Sequence, residues 1–175
     1  DIIKNKSVSV VTNPASNLKL ASGIAPIQKM VDMGLNIAIG TDGPASNNAL
    51  DMFREMYLTT VLQKVKEEDA AAMDANQVLY MATVGGSKAM GLEGTETLEV
   101  GKLADIIMID LHQPNMQPIN KISKNIVYSG SKQNVKLTMV NGKILYKNNQ
   151  FFIDEDVEKI YERANEIKEK CYEQK

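Results

Sequence analysis

The best candidate for a chemically active group is Asp42, which follows the mainly apolar stretch Asn36–Ile39 within Gly40-Thr41-Asp42-Gly43. An apolar strand that stops at a carboxylate is a common way for an α/β enzyme to present a catalytic group. The strand holds the carboxylate, and the glycines let a ligand approach the backbone closely. The same residues also suit an ordinary turn, since Asp-Gly is favoured wherever a positive φ is needed. The surrounding elements must decide between the two interpretations.

Those elements predict a strand–helix–strand unit. The segments Val8–Val11 and Asn36–Ile39 are typical of buried strands, and the spacing of apolar residues predicts a helix over Pro26–Gly34 between them. Strands joined in this way should be parallel, with a right-handed crossover. The loops 12–17 and 40–48 then meet at the carboxyl edge of the sheet, where α/β proteins bind ligands. This shared edge favours an active site over a simple turn.

A long helix is predicted over residues 49–66, with Ser46–Asn48 as its cap. Asp51 and Glu55 are expected to be solvated carboxylates near its start, where the helix dipole favours acids. Its apolar face is predicted to consist of Leu50, Phe53, Tyr57, Val61 and Val65.

A further helix is predicted from the cap Asp74 over Ala75–Ala82, with Gly85-Gly86 breaking it. A short helix should then end at Gly91.

The chain after Gly91 is predicted to be rich in strands and free of helix up to residue 153. Asn141-Gly142 is a strong hairpin signal. His112 lies in a loop with two prolines and is expected at the surface. The predicted strands are a buried one at Ile106–Ile109, followed by Ile126–Tyr128, Val135–Val140 and Lys143–Tyr146.

The tail from Asp154 is predicted to be an amphipathic helix that packs on the body of the protein or on a partner. Cys171 lies on its apolar stripe and is expected to be packed rather than reactive. The stripe consists of Val157, Ile160, Tyr161, Ala164, Ile167 and Cys171.

Composition restricts the function. The 175 residues include one histidine and one cysteine, so no complete zinc or iron site of the usual kind can be assembled from them. A net charge of −2 gives no reason to expect binding to nucleic acid or to an anionic membrane. A lone cysteine fits a reducing cytoplasm. Because the sequence starts without Met, we expect it to belong to something longer.

Several separated segments, in order along nearly the whole chain, resemble the amidohydrolase superfamily. The resemblance is to its cytosine deaminase and chlorohydrolase-like branch, and within it to the S-adenosylhomocysteine/5′-methylthioadenosine deaminases. The segments that carry it are Asn13–Gly23, Gly40–Gly43, Ser46–Met52, Val100–Ile106, the loop with Asp110, Pro114 and Pro118, and Val140–Lys143.

The resemblance implies an α/β fold in which this chain is the C-terminal part of a metal-dependent (β/α)8 TIM-barrel hydrolase. Residues 1–98 would be the last βα units of the barrel. Residues 99–153 would be the C-terminal strands of a composite β-sandwich, and residues 154–175 a closing amphipathic helix.

It also implies a divalent metal, zinc before iron or manganese, whose histidine ligands would lie in the missing N-terminal part. Asp42 matches the family's Asp ligand, which also handles protons. Ser16, Asn17 and Asn47 would lie at the rim as candidate substrate contacts, although turn and cap chemistry explains them too. Where the family often has histidine, this chain has Thr12 and Asn115, which bears on substrate choice or packing.

The resemblance implies hydrolytic deamination of an adenine-containing nucleoside. Composition adds the expectation of a cytoplasmic protein that binds neither nucleic acid nor membrane, and open strand edges add that of a homo-oligomer. This chain would be an incomplete and inactive portion of that enzyme. One alternative is another hydrolase of the superfamily, which would act on a halogenated triazine, guanine, cytosine or a cyclic amide. The other is a stand-alone association module without catalysis, because two barrel strands leave open edges.

Overall fold

A computed structural model of the chain describes Ile3, Lys6 and residues 8–173. Five residues of the predicted segment 1–98 therefore lie outside the described part, namely 1, 2, 4, 5 and 7. The same holds for residues 174 and 175 of the predicted segment 154–175. The described elements combine helices with one parallel and one antiparallel sheet. Within this described part, no helix is both long enough and apolar enough to cross a membrane.

The predicted strand–helix–strand unit is confirmed, and its two strands are parallel, with Val10 opposite Ile37 and Thr12 opposite Ile39. The loop predicted at 12–17 is wrong in part. Pro14 begins a short helix because its fixed φ and missing N–H suit a first helical turn. The elements are β1 (Val10–Thr12), α1 (Pro14–Lys19), α2 (Ile27–Asp32) and β2 (Ile37–Ile39).

Two helices follow β2, namely α3 (Pro44–Asn47) and α4 (Met52–Glu67). The predicted cap Ser46–Asn48 is wrong, since Ser46 and Asn47 belong to α3. The true cap is Asp51, whose side chain accepts a hydrogen bond from the Phe53 N–H.

The predicted apolar face of α4 is wrong in part. Phe53 is buried and Val61 half-buried, but Leu50, Tyr57 and Val65 are exposed. Glu55, expected in solvent, is 0% exposed. The face that packs inward is largely polar because it meets loop backbone as well as apolar side chains. It consists of Phe53, Glu55, Met56, Thr59, Thr60 and Gln63.

The cap at Asp74 is confirmed and forms a capping box with Gln77 at the start of α5 (Ala75–Tyr80). The predicted break at Gly85-Gly86 is wrong. The helix continues through a π-helical turn, Met81–Gly85, into α6 (Gly86–Met90), and Gly91 ends it with φ +66°. A Cβ on Gly85 would lie 2.2 Å from the Ile37 carbonyl oxygen, so glycine serves close packing here rather than helix termination.

The C-terminal sheet is antiparallel, with its strands in chain order. The Asn141-Gly142 hairpin is confirmed, and both residues have positive φ. The elements are β3 (Ile106–Ile109), α7 (Ile122–Ser129), β4 (Val135–Val140), β5 (Lys143–Lys147) and β6 (Gln150–Phe151).

Three predictions for this region are wrong, the first being that it contains no helix, since α7 lies within it. Ile126–Tyr128 is helical and lies in α7, where Val127 enters the core, so packing overrides the strand preference of these residues. β3 is a strand but is not buried, because Ile107 and Met108 are 56% and 57% exposed. His112 is exposed, as predicted.

The last helix, α8 (Val157–Glu173), forms as predicted, but Val157 is half-buried and residues 158–172 are exposed. Ile160, Tyr161 and Ile167 are exposed. Cys171 is also exposed, so the prediction that it is packed is wrong.

The main core lies between the β1–β2 sheet and helices α2, α4, α5 and α7. Its buried members are Ile27, Ile37, Ile39, Phe53, Met56, Met73, Ala75, Val78, Met81 and Val127.

Candidate functional site

The carboxyl ends of β1 and β2 bring together the two loops that the sequence singles out. β1 ends at Thr12 and β2 at Ile39, which are paired in register, so the residues after each strand face the same edge. Asp42 lies three residues beyond β2 with φ +59°, in the left-handed region that Asp tolerates better than most residues. Its backbone N–H donates to Asn13 Oδ1 at 3.1 Å, which ties one loop to the other.

Two serine hydroxyls converge on one oxygen of the Asp42 carboxylate. Ser16, near the start of α1, donates to Asp42 Oδ2 at 2.6 Å. Ser46, in α3, donates to the same oxygen, also at 2.6 Å. Among the described residues, no side chain hydrogen-bonds Oδ1, so this oxygen remains able to bind another group.

These hydrogen bonds favour the charged carboxylate. The Ser16 hydroxyl, then the Ser46 hydroxyl and the backbone of Gly43, hold the pKa of Asp42 below its usual range. The side chain is exposed at the rim and is therefore ionised and accessible at neutral pH. An accessible, oriented carboxylate with one free oxygen can bind a cation or accept a proton.

Of the three residues predicted to lie at the rim beside Asp42, Ser16 is 3% exposed, and Asn17 and Asn47 are also more buried than Asp42. Asn17 is half-buried and lies beside α4, at a small cavity that it shares with Thr59 and Gln63. Asn47 is 3% exposed, and its Nδ2 donates to the Thr41 carbonyl at 2.6 Å and to Glu55 Oε1 at 2.7 Å. Within the described part, Asn47 Oδ1 is a buried polar atom without a hydrogen-bond partner.

Glu55 also belongs to this region, although the sequence pattern does not indicate it. Its carboxylate accepts from the Ala15 N–H at 3.0 Å as well as from Asn47. The residue falls at a first-turn position where acids are common at the surface, so neither its type nor its spacing signals burial.

The described residues hold no group of three or more His, Cys, Asp or Glu side chains that could enclose a metal ion. Asp42 alone is suited to be a ligand here, as a single carboxylate with one free oxygen. A complete metal site would need ligands from outside the described residues. This agrees with the composition of the chain, which has one histidine and one cysteine.

The two family differences noted in the sequence lie at different places. Thr12 is buried at the end of β1, beside the site. Asn115 lies in the C-terminal region, where its Nδ2 donates to the Ser129 carbonyl and to Asn134 Oδ1. Asn115 therefore has a packing role, distant in sequence from the Asp42 loop.

Comparison with known proteins identifies relatives over most of the chain. A 5′-deoxyadenosine deaminase from Methanosarcina acetivorans is 45% identical over 164 residues, which are 94% of this chain and 38% of that protein. A 5-methylthioadenosine/S-adenosylhomocysteine deaminase from Caldanaerobacter subterraneus subsp. tengcongensis is 44% identical, over 92% of this chain and 37% of that protein. The chain thus spans less than two fifths of the length of these relatives.

Solved structures show the same similarity. A zinc-bound adenosine deaminase from Xanthomonas campestris superposes with a TM-score of 0.92 at 36% identity, over 97% of this chain and 38% of that one. A zinc-complexed atrazine chlorohydrolase from Arthrobacter aurescens superposes with a TM-score of 0.83 at 25% identity, over 92% and 36%.

The model of the amidohydrolase family matches residues 1–145, which include both strand-end loops, the Asp42 site and β3 to β5 up to residue 145. The chain therefore belongs to the amidohydrolase family.

Proposed function

We propose that this chain is the C-terminal part of a metal-dependent deaminase that hydrolyses the 6-amino group of an adenine nucleoside. The preferred substrates are 5′-deoxyadenosine, 5′-methylthioadenosine and S-adenosylhomocysteine. The observation that carries the proposal is the exposed Asp42 carboxylate, which two serines orient at the shared carboxyl edge of two parallel strands. The names of the relatives at 44% and 45% identity supply the substrate class.

The proposal includes the architecture of the whole enzyme. Residues 1–98 would contribute the last βα units of a (β/α)8 barrel, in agreement with parallel β1 and β2. Residues 99–153 would contribute strands to a β-sandwich, in agreement with the antiparallel order of β3 to β6. Residues 154–175 would form the closing helix. The remaining barrel strands and the histidine ligands would come from the N-terminal part of the same protein. The whole protein would form homo-oligomers.

Asp42 is suited to bind a metal, because no described side chain hydrogen-bonds Oδ1 and the carboxylate is charged. A divalent metal, preferably zinc, would lower the pKa of a bound water molecule so that it can react at neutral pH. Asp42 would accept a proton from this water at its carboxylate and pass it toward the departing ammonia. Ser16 and Ser46 keep Oδ2 oriented through these transfers, so that Oδ1 stays directed away from them.

The direct test is the full-length protein with Asp42→Asn. Asn keeps the shape and tolerates the left-handed backbone, but it cannot hold a proton or a negative charge. We expect wild type to release ammonia from the three nucleosides and to carry about one zinc per chain. D42N should lose about 10³-fold in kcat and lose zinc on dialysis. Asp32→Asn, at an exposed position of α2, is the matched control and should behave as wild type.

Substrate profiling separates the alternatives. Atrazine, guanine, cytosine and a cyclic amide should react far more slowly than the adenine nucleosides. Faster turnover of any of them would replace the proposed substrate, while an inactive, metal-free full-length protein would contradict the deaminase itself.

A further inference from the structure

The most unusual side chain outside the reacting group is the buried carboxylate of Glu55. It is 0% exposed in the middle of the protein, on the inward face of α4. Among the described residues no lysine, arginine or histidine forms an ion pair with it. Burying a carboxylate without a cation is costly unless hydrogen-bond donors replace the lost water. The donors that contact Glu55 therefore indicate its role.

Those partners come from the two site loops, one donor from each. Glu55 Oε2 accepts from the Ala15 N–H at 3.0 Å, and Ala15 is the residue before Ser16. Glu55 Oε1 accepts from Asn47 Nδ2 at 2.7 Å, and Asn47 is the residue after Ser46.

The same amide reaches the third group of the site. Asn47 Nδ2 also donates to the Thr41 carbonyl at 2.6 Å, and Thr41 is the residue before Asp42. Each of the three groups at the site is therefore one residue away from an atom in the hydrogen-bond network of Glu55. The network lies beneath the site and makes no hydrogen bond to the Asp42 carboxylate.

We propose that Glu55 is a positioning residue that holds the loops after β1 and β2 at the separation at which both serine hydroxyls reach Asp42 Oδ2. It acts through Ala15 and Asn47 and does not touch the reacting atoms. Asn47 is then a connector between α4 and the Asp42 loop instead of a substrate contact.

A carboxylate is the side chain that this position requires. Both neighbours are N–H donors, and only a carboxylate of this length offers an acceptor oxygen to each. Glutamine has the same shape but one acceptor oxygen, so its NH₂ group must face one of the two donors. Glu55→Gln therefore breaks one link with almost no change in volume.

The test compares E55Q with Thr60→Val in the full-length enzyme. Thr60 is also 0% exposed on α4, and its hydroxyl donates to the Met73 carbonyl at 2.6 Å, away from the site. The same hydroxyl is 3.1 Å from the Tyr128 hydroxyl, so T60V removes two hydrogen bonds from the same helix without touching either loop.

Hydrogen exchange is the first readout and does not depend on activity. We expect E55Q to speed exchange by about tenfold or more in peptides covering residues 12–20 and 40–48, and T60V to leave these peptides as in wild type. Zinc retention against a weak chelator should fall in E55Q and not in T60V.

The kinetic readout rests on the proposed function. E55Q should lower kcat by about 10- to 100-fold with KM within about twofold, because a small displacement of a positioned group mainly affects the chemical step. T60V should change neither. If wild type does not deaminate, the proposed function fails, while exchange and zinc retention still decide the role of Glu55.

Equal exchange, zinc retention and kcat in E55Q and T60V would overturn the proposal and leave Glu55 as a stability residue. Should E55Q fail to fold, Asn47→Ala tests the same link from the other loop. N47A must loosen the segment 40–48 and lower kcat, and a wild-type kcat in N47A would also overturn the proposal.

Discussion

At the scale of single residues, Gly40 shows how tightly the site loops approach each other. A Cβ at Gly40 would lie 2.5 Å from Asn13 Oδ1 and 3.1 Å from Val11 Cγ1. Asn13 Oδ1 is the acceptor for the Asp42 backbone N–H. The missing side chain at Gly40 is therefore a condition for the contact between the two loops.

We predict that Gly40→Ala in the full-length protein displaces Asn13 and lowers kcat by about tenfold or more. The reason is that the Asp42 N–H loses its hydrogen bond to Asn13 Oδ1. Gly43→Ala is the matched control. Its Cβ would meet nothing within 4 Å, and its φ of −83° suits alanine. Steady-state kinetics of both variants check the prediction, and equal kcat values in the two would contradict it.

A second residue-scale prediction concerns pH and stability. Lys102 pairs with Glu96, and this hydrogen bond lowers the pKa of Glu96 to about 2, below its usual value near 4.5. Because the pKa is lowered on folding, the stabilisation is complete above about pH 4.5 and is lost as pH falls from there toward 2. Chemical denaturation of wild type and Glu96→Gln should show a stability difference at pH 7 that shrinks by pH 3. A difference that grows on acidification would contradict this assignment.

At the scale of elements, the π-helical turn is where a helix meets the backbone of β2. Gly85 lies against the Ile37 carbonyl, and its own carbonyl accepts from Asn36 Nδ2 at 3.1 Å. The next residue, Gly86, has room for a methyl group. A Cβ added there would have the Met81 carbonyl oxygen as its nearest neighbour, at 3.8 Å. Two adjacent glycines thus have opposite structural requirements.

We predict that Gly85→Ala destabilises the protein by about 3 kcal/mol, because a methyl group cannot fit against backbone. Gly86→Ala should instead stabilise it by about 0.5–1 kcal/mol through helix propensity. Thermal or denaturant unfolding of both variants gives the sign directly. Destabilisation of the same size in both would show that the helix does not continue through this point.

The elements also show what can and cannot be predicted from sequence. The parallel unit, the Asp74 cap and the Asn141-Gly142 hairpin follow from local chemistry, and the structure confirms them. The residue types of Ile126–Tyr128 favour a strand, whereas packing of Val127 in the core makes the segment helical. Tertiary contacts determine the structure of such segments, and these contacts cannot be inferred from a single sequence.

The site likewise has features that can be predicted from the sequence and features that cannot. The position of Asp42 beyond β2 is predictable, because an apolar strand followed by Gly-Thr-Asp-Gly is a local pattern. The convergence of Ser16 and Ser46 on one oxygen, and the burial of Glu55, depend on how α1, α3 and α4 pack. Apolar periodicity puts Glu55 on the wrong face because the inward face of α4 is polar.

At the scale of the whole molecule, apolar side chains remain exposed on two separate elements. Ile107 and Met108 project from β3, and Ile160, Tyr161 and Ile167 lie exposed on α8. Large exposed apolar areas are uncommon on monomeric proteins. The family relatives are more than twice as long as this chain, so a larger protein would have further surface with which to cover these residues.

We predict that the 175-residue chain expressed alone neither deaminates nor retains metal, since Asp42 has no partner ligands among the described residues. It should also self-associate, as measured by a sedimentation coefficient that rises with concentration. Stoichiometric zinc after dialysis against a chelator would contradict the first expectation. The full-length protein, measured in parallel, should hold zinc.

The left-handed backbone at Asp42 also limits what mutation can do at this codon. Single-base changes from an aspartate codon reach Asn, Gly, Ala, Val, Glu, His and Tyr. Asn and Gly keep a φ of +59° at little cost, whereas a β-branched Val is strained there. Under the proposed role of Asp42, Asn and Gly clones in a randomised library should accumulate as folded but inactive protein, while Val clones should be lost at the level of expression. Under that role, the substitutions that this backbone accepts most easily would give a protein that folds but does not react.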